Sequence, residues 1–101
     1  MKKITKAMVC NKPYTYKYFS DIKIVNPDPN DNDICYGYLE PGGNNVRIFD
    51  NGIEEDTIER VLHETLHAID DEYRIGLTEV QVNILGLNIA DFLVRNKLLK
   101  D

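Results

Sequence analysis

The stretch that decides how this chain folds is ERVLHETLHAIDDEYRIG, residues 59–76. Its apolar residues recur every three or four positions, as on one face of an α-helix, whereas the sequence before residue 52 reads as strands and turns. Asp56, with Glu59 three residues later, forms a capping-box pattern that predicts the helix start. Gly76 predicts its end, because glycine readily takes the conformation that terminates a helix. We therefore expect a helix over about 56–75.

A second helix is predicted over about 79–96. Thr78 and Gln81 form another capping-box pattern at its start. Apolar residues lie on two of its sides: Val80, Ile84, Leu87, Ala90, Val94 and Leu98 on one, and Val82, Leu85, Ile89, Phe92 and Leu93 on the other. A helix that is apolar on two sides is either sandwiched within the fold or shared with another chain. A homo-oligomer or a protein partner bound through 79–96 is therefore expected.

The first half of the chain contains the predicted strands, at about residues 3–50. They are ITKAMVC, YTYKYFSDIKIV, ICYGYL and NVRIFD, separated by the turn signals NKP and EPGGN and by the polar loop NPDPNDND (26–33). That loop lacks the glutamate that a calcium-binding EF-hand needs at its twelfth position. The order of elements predicts an α+β fold, with an antiparallel sheet of about four strands followed by two helices on one face. At 101 residues the chain suits a single domain, 1–101.

Composition restricts the partners and the compartment. The net charge is −5, which disfavours binding to a nucleic-acid backbone. No apolar run approaches the ~20 residues of a membrane span, and the N-terminus lacks an uninterrupted apolar signal segment. Cys10 and Cys35 are 25 positions apart without a CxxC pattern. They are expected to be free thiols in a reducing compartment, with a disulfide or a metal-ligating thiol as alternatives. A cytoplasmic location follows as an expectation.

The only two histidines, His63 and His67, lie four residues apart with Glu64 between them. Side chains four apart on a helix project in parallel, so both imidazoles could bind one Zn²⁺ ion. Glu64 would then be the general base that takes a proton from metal-bound water. The alternative is a solvated polar face without a role, since both histidines point away from the predicted apolar face. A purely structural zinc site, closed by four protein ligands, would have no use for Glu64.

HExxH on a helix is the signature of zincin metallopeptidases. Together with the glycine-bearing strand CYGYL, the hairpin PGGNNVRIFD and the helix TIERVLHETLHAID, it resembles small metallopeptidase-like proteins encoded by phages and prophages. The resemblance covers roughly residues 35–96, and extends more loosely to the ImmA/IrrE-type metallopeptidases of mobile elements. It implies a zinc-dependent hydrolase fold with His63 and His67 as metal ligands, Glu64 as base, and a peptide or protein substrate.

The third metal ligand is not fixed by HExxH, and no third histidine exists. Gluzincin-like families use a glutamate from the following helix, and the matching residue here is Glu79. Its alternative role is a carboxylate at a helix N-terminus. Asp70 is the rival ligand, or else it accepts the free ring N–H of a ligand histidine. Cys35 is a further alternative, as in peptide deformylases, and Tyr36 or Tyr38 could stabilise an oxyanion.

Two functions fit these residues. The first is a zinc metallopeptidase in which an extended substrate lies along the strand NVRIFD, taken as the sheet edge. The second is a non-catalytic, regulatory protein-binding module on a zincin scaffold, encoded by a phage or mobile element, that engages a host protein through 79–96.

Overall fold

A computed structural model describes residues 3–26 and 35–99 of the protein. Four strands form one mixed sheet in the order β1-β2-β4-β3, and two long helices follow them in the chain. The strands are β1 (Lys6–Val9), β2 (Lys12–Phe19), β3 (Gly37–Leu39) and β4 (Asn45–Phe49). The predicted α+β class is confirmed.

The sheet is not wholly antiparallel, and this part of the prediction is wrong. β1–β2 and β3–β4 are antiparallel hairpins as expected, but β2 and β4 run parallel, with Tyr16 opposite Val46 and Tyr18 opposite Ile48. Parallel neighbours need a long crossover connection, and residues 20–44 provide one between β2 and β4. The crossover places β4 inside the sheet and leaves β3 at its edge. NVRIFD is therefore an internal strand and not the predicted edge.

The segment IKIV does not extend the second strand as its pattern predicts, and is instead the short helix α1 (Ile22–Val25). Asp21 ends the strand run because its side chain accepts a hydrogen bond from the backbone N–H of Lys23 at 3.0 Å. An aspartate in this position favours a helical turn over continued strand pairing. The turn buries Val25 completely.

The two long helices are α2 (Glu54–Tyr73) and α3 (Glu79–Arg95). Asp56 is not the cap of α2 as predicted, because the helix begins two residues earlier, after Ile53. Asn51 provides the reason: its side chain accepts from the Ile53 N–H and donates to the Asp56 carboxylate, which fixes an earlier entry into the helix. Glu54, Glu55 and Asp56 then form an acidic first turn, which suits a helix N-terminus.

The other predicted helix boundaries agree better with the structure. At the C-terminus of α2, Arg74 takes the left-handed conformation (φ 53°), two residues before the predicted stop at Gly76. Gly76 itself has a φ of 84° in the following loop. The capping box at Thr78 and Gln81 is confirmed, with both reciprocal hydrogen bonds present.

The hydrophobic core lies between the sheet and α2. Its buried members come from β1, β2, β4 and α2: Val9, Tyr14, Tyr16, Val46, Ile48, Val61 and Ala68. The Tyr16 hydroxyl is hydrogen bonded to the Thr65 hydroxyl at 2.7 Å, which ties the sheet to α2. α3 packs mainly on α2 and not on the sheet, so the expectation that both helices cover the sheet holds for α2 alone.

The predicted loop 26–33 lies outside the described residues except for Asn26. Among the described helices, none combines the length and the apolar character needed to cross a bilayer. Within the part of the chain that the structure describes, Cys10 and Cys35 form no disulfide.

Candidate metal centre

The two histidines of the HExxH motif lie side by side on α2 and line a cleft. Their Nε2 atoms are 3.1 Å apart and their ring centroids 4.8 Å apart. Each side chain is only about a quarter exposed, at 22% for His63 and 29% for His67. The histidines are thus neither packed in the core nor on a fully solvated face. They face a cleft shared by α2, the start of α3 and the segment leading into β3.

Glu79 completes this group. It is the first residue of α3, and its two carboxylate oxygens lie 2.8 Å from His63 Nε2 and 3.2 Å from His67 Nε2. One donor atom from each of the three side chains lies within 4.8 Å of the other two. α3 returns alongside α2, and this places Glu79, one of the candidate third ligands, next to both histidines. Within the described residues, this is the one cluster of histidine, cysteine and carboxylate side chains with a metal-binding arrangement.

The start of α3 is fixed locally, which is why Glu79 has a defined position. The Thr78 side chain accepts from the Gln81 N–H at 3.1 Å, and the Gln81 side chain accepts from the Thr78 N–H at 2.9 Å. Gly86 lies further along α3 against the α2 backbone. A Cβ atom added there would be 3.6 Å from His63 Cα, so the glycine allows the two helices to approach closely.

Asp70 has a different role from the two that its spacing predicts. Its Oδ1 atom accepts hydrogen bonds from the backbone N–H groups of Gly76 at 2.8 Å and Leu77 at 3.1 Å. The carboxylate therefore shapes the loop between the helices, and it is not part of the metal-binding cluster. Sequence spacing could not separate these roles, because they differ only in the path of the loop. Asp70 acts on the site through that loop, which leads directly to Glu79.

Glu64 is the least usual residue of the site. It is 5% exposed, and its Oε2 atom is buried without a hydrogen-bond partner in the structure. Burial raises the pKa of its carboxyl to about 7, and the negative charge of Glu79 acts in the same direction. A carboxylate buried without a partner is costly, and such groups are concentrated at functional sites. Glu64 lines the same cleft as the three clustered side chains but is not a member of their group.

Gly37 in β3 makes room for Glu64. A Cβ atom at this position would lie 2.8 Å from Glu64 Cγ and 3.1 Å from Cδ, too close for any side chain to fit without movement. A glycine inside a strand often marks such a close approach. This signal is present in the sequence as the glycine of CYGYL, but it does not identify the side chain that approaches.

The cleft has a volume of about 700 Å³. Besides the clustered residues and Glu64, its lining includes Cys35, Tyr36, Gly37, Tyr38, Asp56, Glu59, Arg60 and Asn83. Arg60 lies over the rings of Tyr36 and Phe49, at 4.8 and 5.3 Å from their centroids, and donates to the Phe49 carbonyl. Cys35 lines the cleft without joining the metal-binding cluster. An oxyanion role for Tyr36 or Tyr38 stays a prediction.

Comparisons of this chain with protein-family models, with curated proteins and with solved structures gave no match.

The donor set fits a divalent transition metal. Two imidazole nitrogens and one carboxylate converge on one point, and they come from a helix and from the start of the next helix. Zn²⁺ is bound by these ligand types, and three protein ligands leave a coordination position open. Glu64 lies next to the cluster without belonging to it, and its Oε2 atom has no hydrogen-bond partner.

Proposed function

We propose that the protein is a zinc-dependent hydrolase that cleaves peptide bonds, with Glu64 as the general base. The observation that carries the proposal is the pairing of a three-residue ligand cluster with a buried carboxylate that lies outside it. A structural metal site would be closed by four protein ligands and would gain nothing from Glu64. The zincin resemblance of HExxH agrees with this function, and it remains a prediction.

His63, His67 and Glu79 would hold the metal. When bound, zinc supplies Lewis acidity, which polarises a carbonyl group and lowers the pKa of water toward ~7. Glu64 takes a proton from the attacking water at its carboxylate and returns it to the leaving nitrogen. Gly37 keeps β3 close enough to exclude solvent from the inner side of Glu64. Asp70 and the Thr78 capping box keep Glu79 in reach of both histidines.

The position of β3 favours an extended peptide as the substrate. β3 is the edge strand beside β4, and the segment Cys35–Tyr38 lines the cleft. A peptide could pair with the free edge of β3 and would then pass over the cleft. β4 cannot serve this purpose, because both of its edges are already paired with β2 and β3.

The test combines metal content with hydrolysis. We expect about one zinc per chain by elemental analysis, lost in His63→Ala and in Glu79→Gln. Glu59→Gln is the matched control, because it removes a carboxylate from the same cleft but outside the cluster. A quenched fluorescent peptide library then measures cleavage. Glu64→Gln should keep the metal and lower cleavage by at least about 100-fold.

Two results would contradict the proposal. Protein that takes up no zinc, even after zinc is added back, has no metal site of this kind. Zinc-loaded protein whose Glu64→Gln variant cleaves as fast as the original has a different base.

A second candidate function is a regulatory protein-binding module on the same scaffold. The observation that favours it is the large apolar surface left exposed on α3. This function predicts a protein that cleaves no member of the peptide library, with or without zinc, and whose Glu64→Gln variant keeps its partner binding.

A further inference from the structure

The outer side of α3 is unusually apolar for a surface. Six large apolar side chains of this helix are exposed: Val80, Ile84, Leu85, Leu87, Phe92 and Val94. Of the other helices and strands among residues 3–26 and 35–99, none exposes more than one. The inner side of α3 already packs on α2 through Val82, Gly86 and Ala90, which are buried. The exposed side chains therefore form a second side of the helix, which no other element among the described residues covers.

Four of the exposed residues follow a heptad pattern. Val80, Ile84, Leu87 and Val94, with Asp91 between the last two, are spaced by four, three, four and three residues. On a helix these five positions fall within a band of about 80°. We call this band the α3 seam. A 3.5-residue spacing of apolar side chains predicts packing against another helix of the same repeat.

We propose that the protein forms a homodimer in which the α3 seams of two copies pack together. A second copy supplies a helix of the same length and the same repeat. The charges also suit self-association. Residues 79–99 contain two acidic residues, Glu79 and Asp91, and two basic residues, Arg95 and Lys97, so their sum is zero although the whole chain carries −5. Two copies can bring these segments together without the repulsion that their other surfaces would exert.

Asp91 can be accommodated in such a contact. Its carboxylate already pairs with Arg95 one turn later, at 2.6 Å. A single polar residue in an otherwise apolar seam fixes the register and the number of helices that associate, at some cost in stability. In the proposed dimer, Asp91 would favour one register of the seam, and its pairing with Arg95 would offset part of its charge.

The length of α3 is sufficient for a specific contact. Its 17 residues span about 26 Å. Pairing along that length would bury roughly 500 Å² from each copy, which is close to the lower limit for a specific interface. The proposal is independent of the proposed hydrolase function, because no seam residue belongs to the ligand cluster.

The test is the mass of the full chain in solution, by sedimentation velocity from about 1 to 100 μM. We expect a dimer at the upper end for the wild type. The double variant Ile84→Glu/Leu87→Glu should be monomeric throughout, with its dissociation constant raised at least about 100-fold. Leu85→Glu/Phe92→Glu is the matched control, because it introduces the same charges at exposed apolar positions of α3 outside the seam. Circular dichroism checks that both variants keep their helix content.

Three outcomes would overturn the proposal. The first is a wild type that stays monomeric at the highest concentration, and the second is a folded seam variant that still dimerises. The third is loss of the dimer in the Leu85→Glu/Phe92→Glu variant, which would place the contact on the other side of α3.

Discussion

Replacing Glu64 with glutamine should make the metal-free protein increasingly stable relative to the wild type as the pH rises, even though it removes the proposed base. The carboxyl is 5% exposed with an unpartnered oxygen, and its pKa is raised from an ordinary value of 4.5 to about 7. In the unfolded chain the same carboxyl ionises near its ordinary value. The gap between the two pKa values corresponds to about 3 kcal/mol, at about 1.4 kcal/mol per pH unit.

The sign of the effect depends on which state binds the proton. Below about pH 4.5 both the folded and the unfolded states keep Glu64 protonated, so the carboxyl has no pH-dependent effect on stability. Between about pH 4.5 and 7 the unfolded state loses the proton while the folded state retains it. The wild type therefore loses stability as the pH rises through this window. Above about pH 7 the loss is complete and stays constant. Glutamine at this position cannot ionise, so the variant lacks this loss.

The assay is urea unfolding from about pH 5 to 8.5 in the presence of a chelator. Circular dichroism is the suitable probe, because the chain has no tryptophan and about half of its described residues are helical. The stability of Glu64→Gln minus that of the wild type should rise by about 2–3 kcal/mol across this range. Any constant offset from burying the amide cancels in this difference. Glu55→Gln, in the exposed first turn of α2, controls for the loss of one negative charge. Parallel curves for wild type and Glu64→Gln would refute the reasoning.

Three further substitutions test how the site is held together. Gly37→Ala should destabilise the protein by about 1–3 kcal/mol and reduce cleavage, because the new methyl group would lie 2.8 Å from Glu64 Cγ. Gly43→Ala in the same hairpin is the control, because the nearest atom to its new methyl group would be 3.7 Å away. It should change neither the stability nor the cleavage rate in parallel unfolding and cleavage assays. Asp70→Ala frees two loop N–H groups and should lower stability by about 1 kcal/mol and weaken zinc binding, measured by competition with a chelating dye. Thr78→Ala removes one bond of the capping box and should cost about 1 kcal/mol in urea unfolding; an unchanged midpoint would show that the cap contributes nothing.

Local sequence signals predict the helices around the site better than they predict the arrangement of the sheet. The HExxH spacing and the Thr78 capping box are short-range features, and a short loop after Gly76 leaves α3 few paths other than back along α2. Glu79 is therefore one of the candidate ligands that the amino-acid sequence offers, beside Asp70 and Cys35, and the structure alone places it next to both histidines. The direction of β2 relative to β4 cannot be predicted from local signals, because alternating side chains identify a strand but not the strand that lies next to it. The parallel pairing depends on the crossover between them, and the polar stretch within that crossover carries no such pattern.

Asp70 and Gly37 show why the details of the site are not predictable. Asp70 has the right position on α2 to orient a histidine. Its carboxylate instead accepts hydrogen bonds from the N–H groups of Gly76 and Leu77, because residues 74–77 follow a path that brings them close to it. Gly37 is one of six glycines, and its importance depends on how close β3 lies to α2. Both roles depend on how distant parts of the chain pack together, and the helix and strand patterns of the sequence carry no information about that packing.

The stability of the fold and the chemistry of the cleft oppose each other at Glu64. A domain of about 100 residues is stable by only about 5–15 kcal/mol, so a loss of about 3 kcal/mol at one carboxyl is a large fraction. An apolar residue of similar size would fill the space beside Gly37 without that cost, and a partner for Oε2 would remove much of it. Neither is present, although the surrounding core is well formed, with Tyr16 and Ile48 at most 2% exposed. Local conflicts of this kind within an otherwise consistent fold are expected at functional sites. The conflict at Glu64 therefore supports the proposed functional role of this residue independently of the HExxH spacing, because a solvated or purely structural glutamate would not need to be buried without a partner.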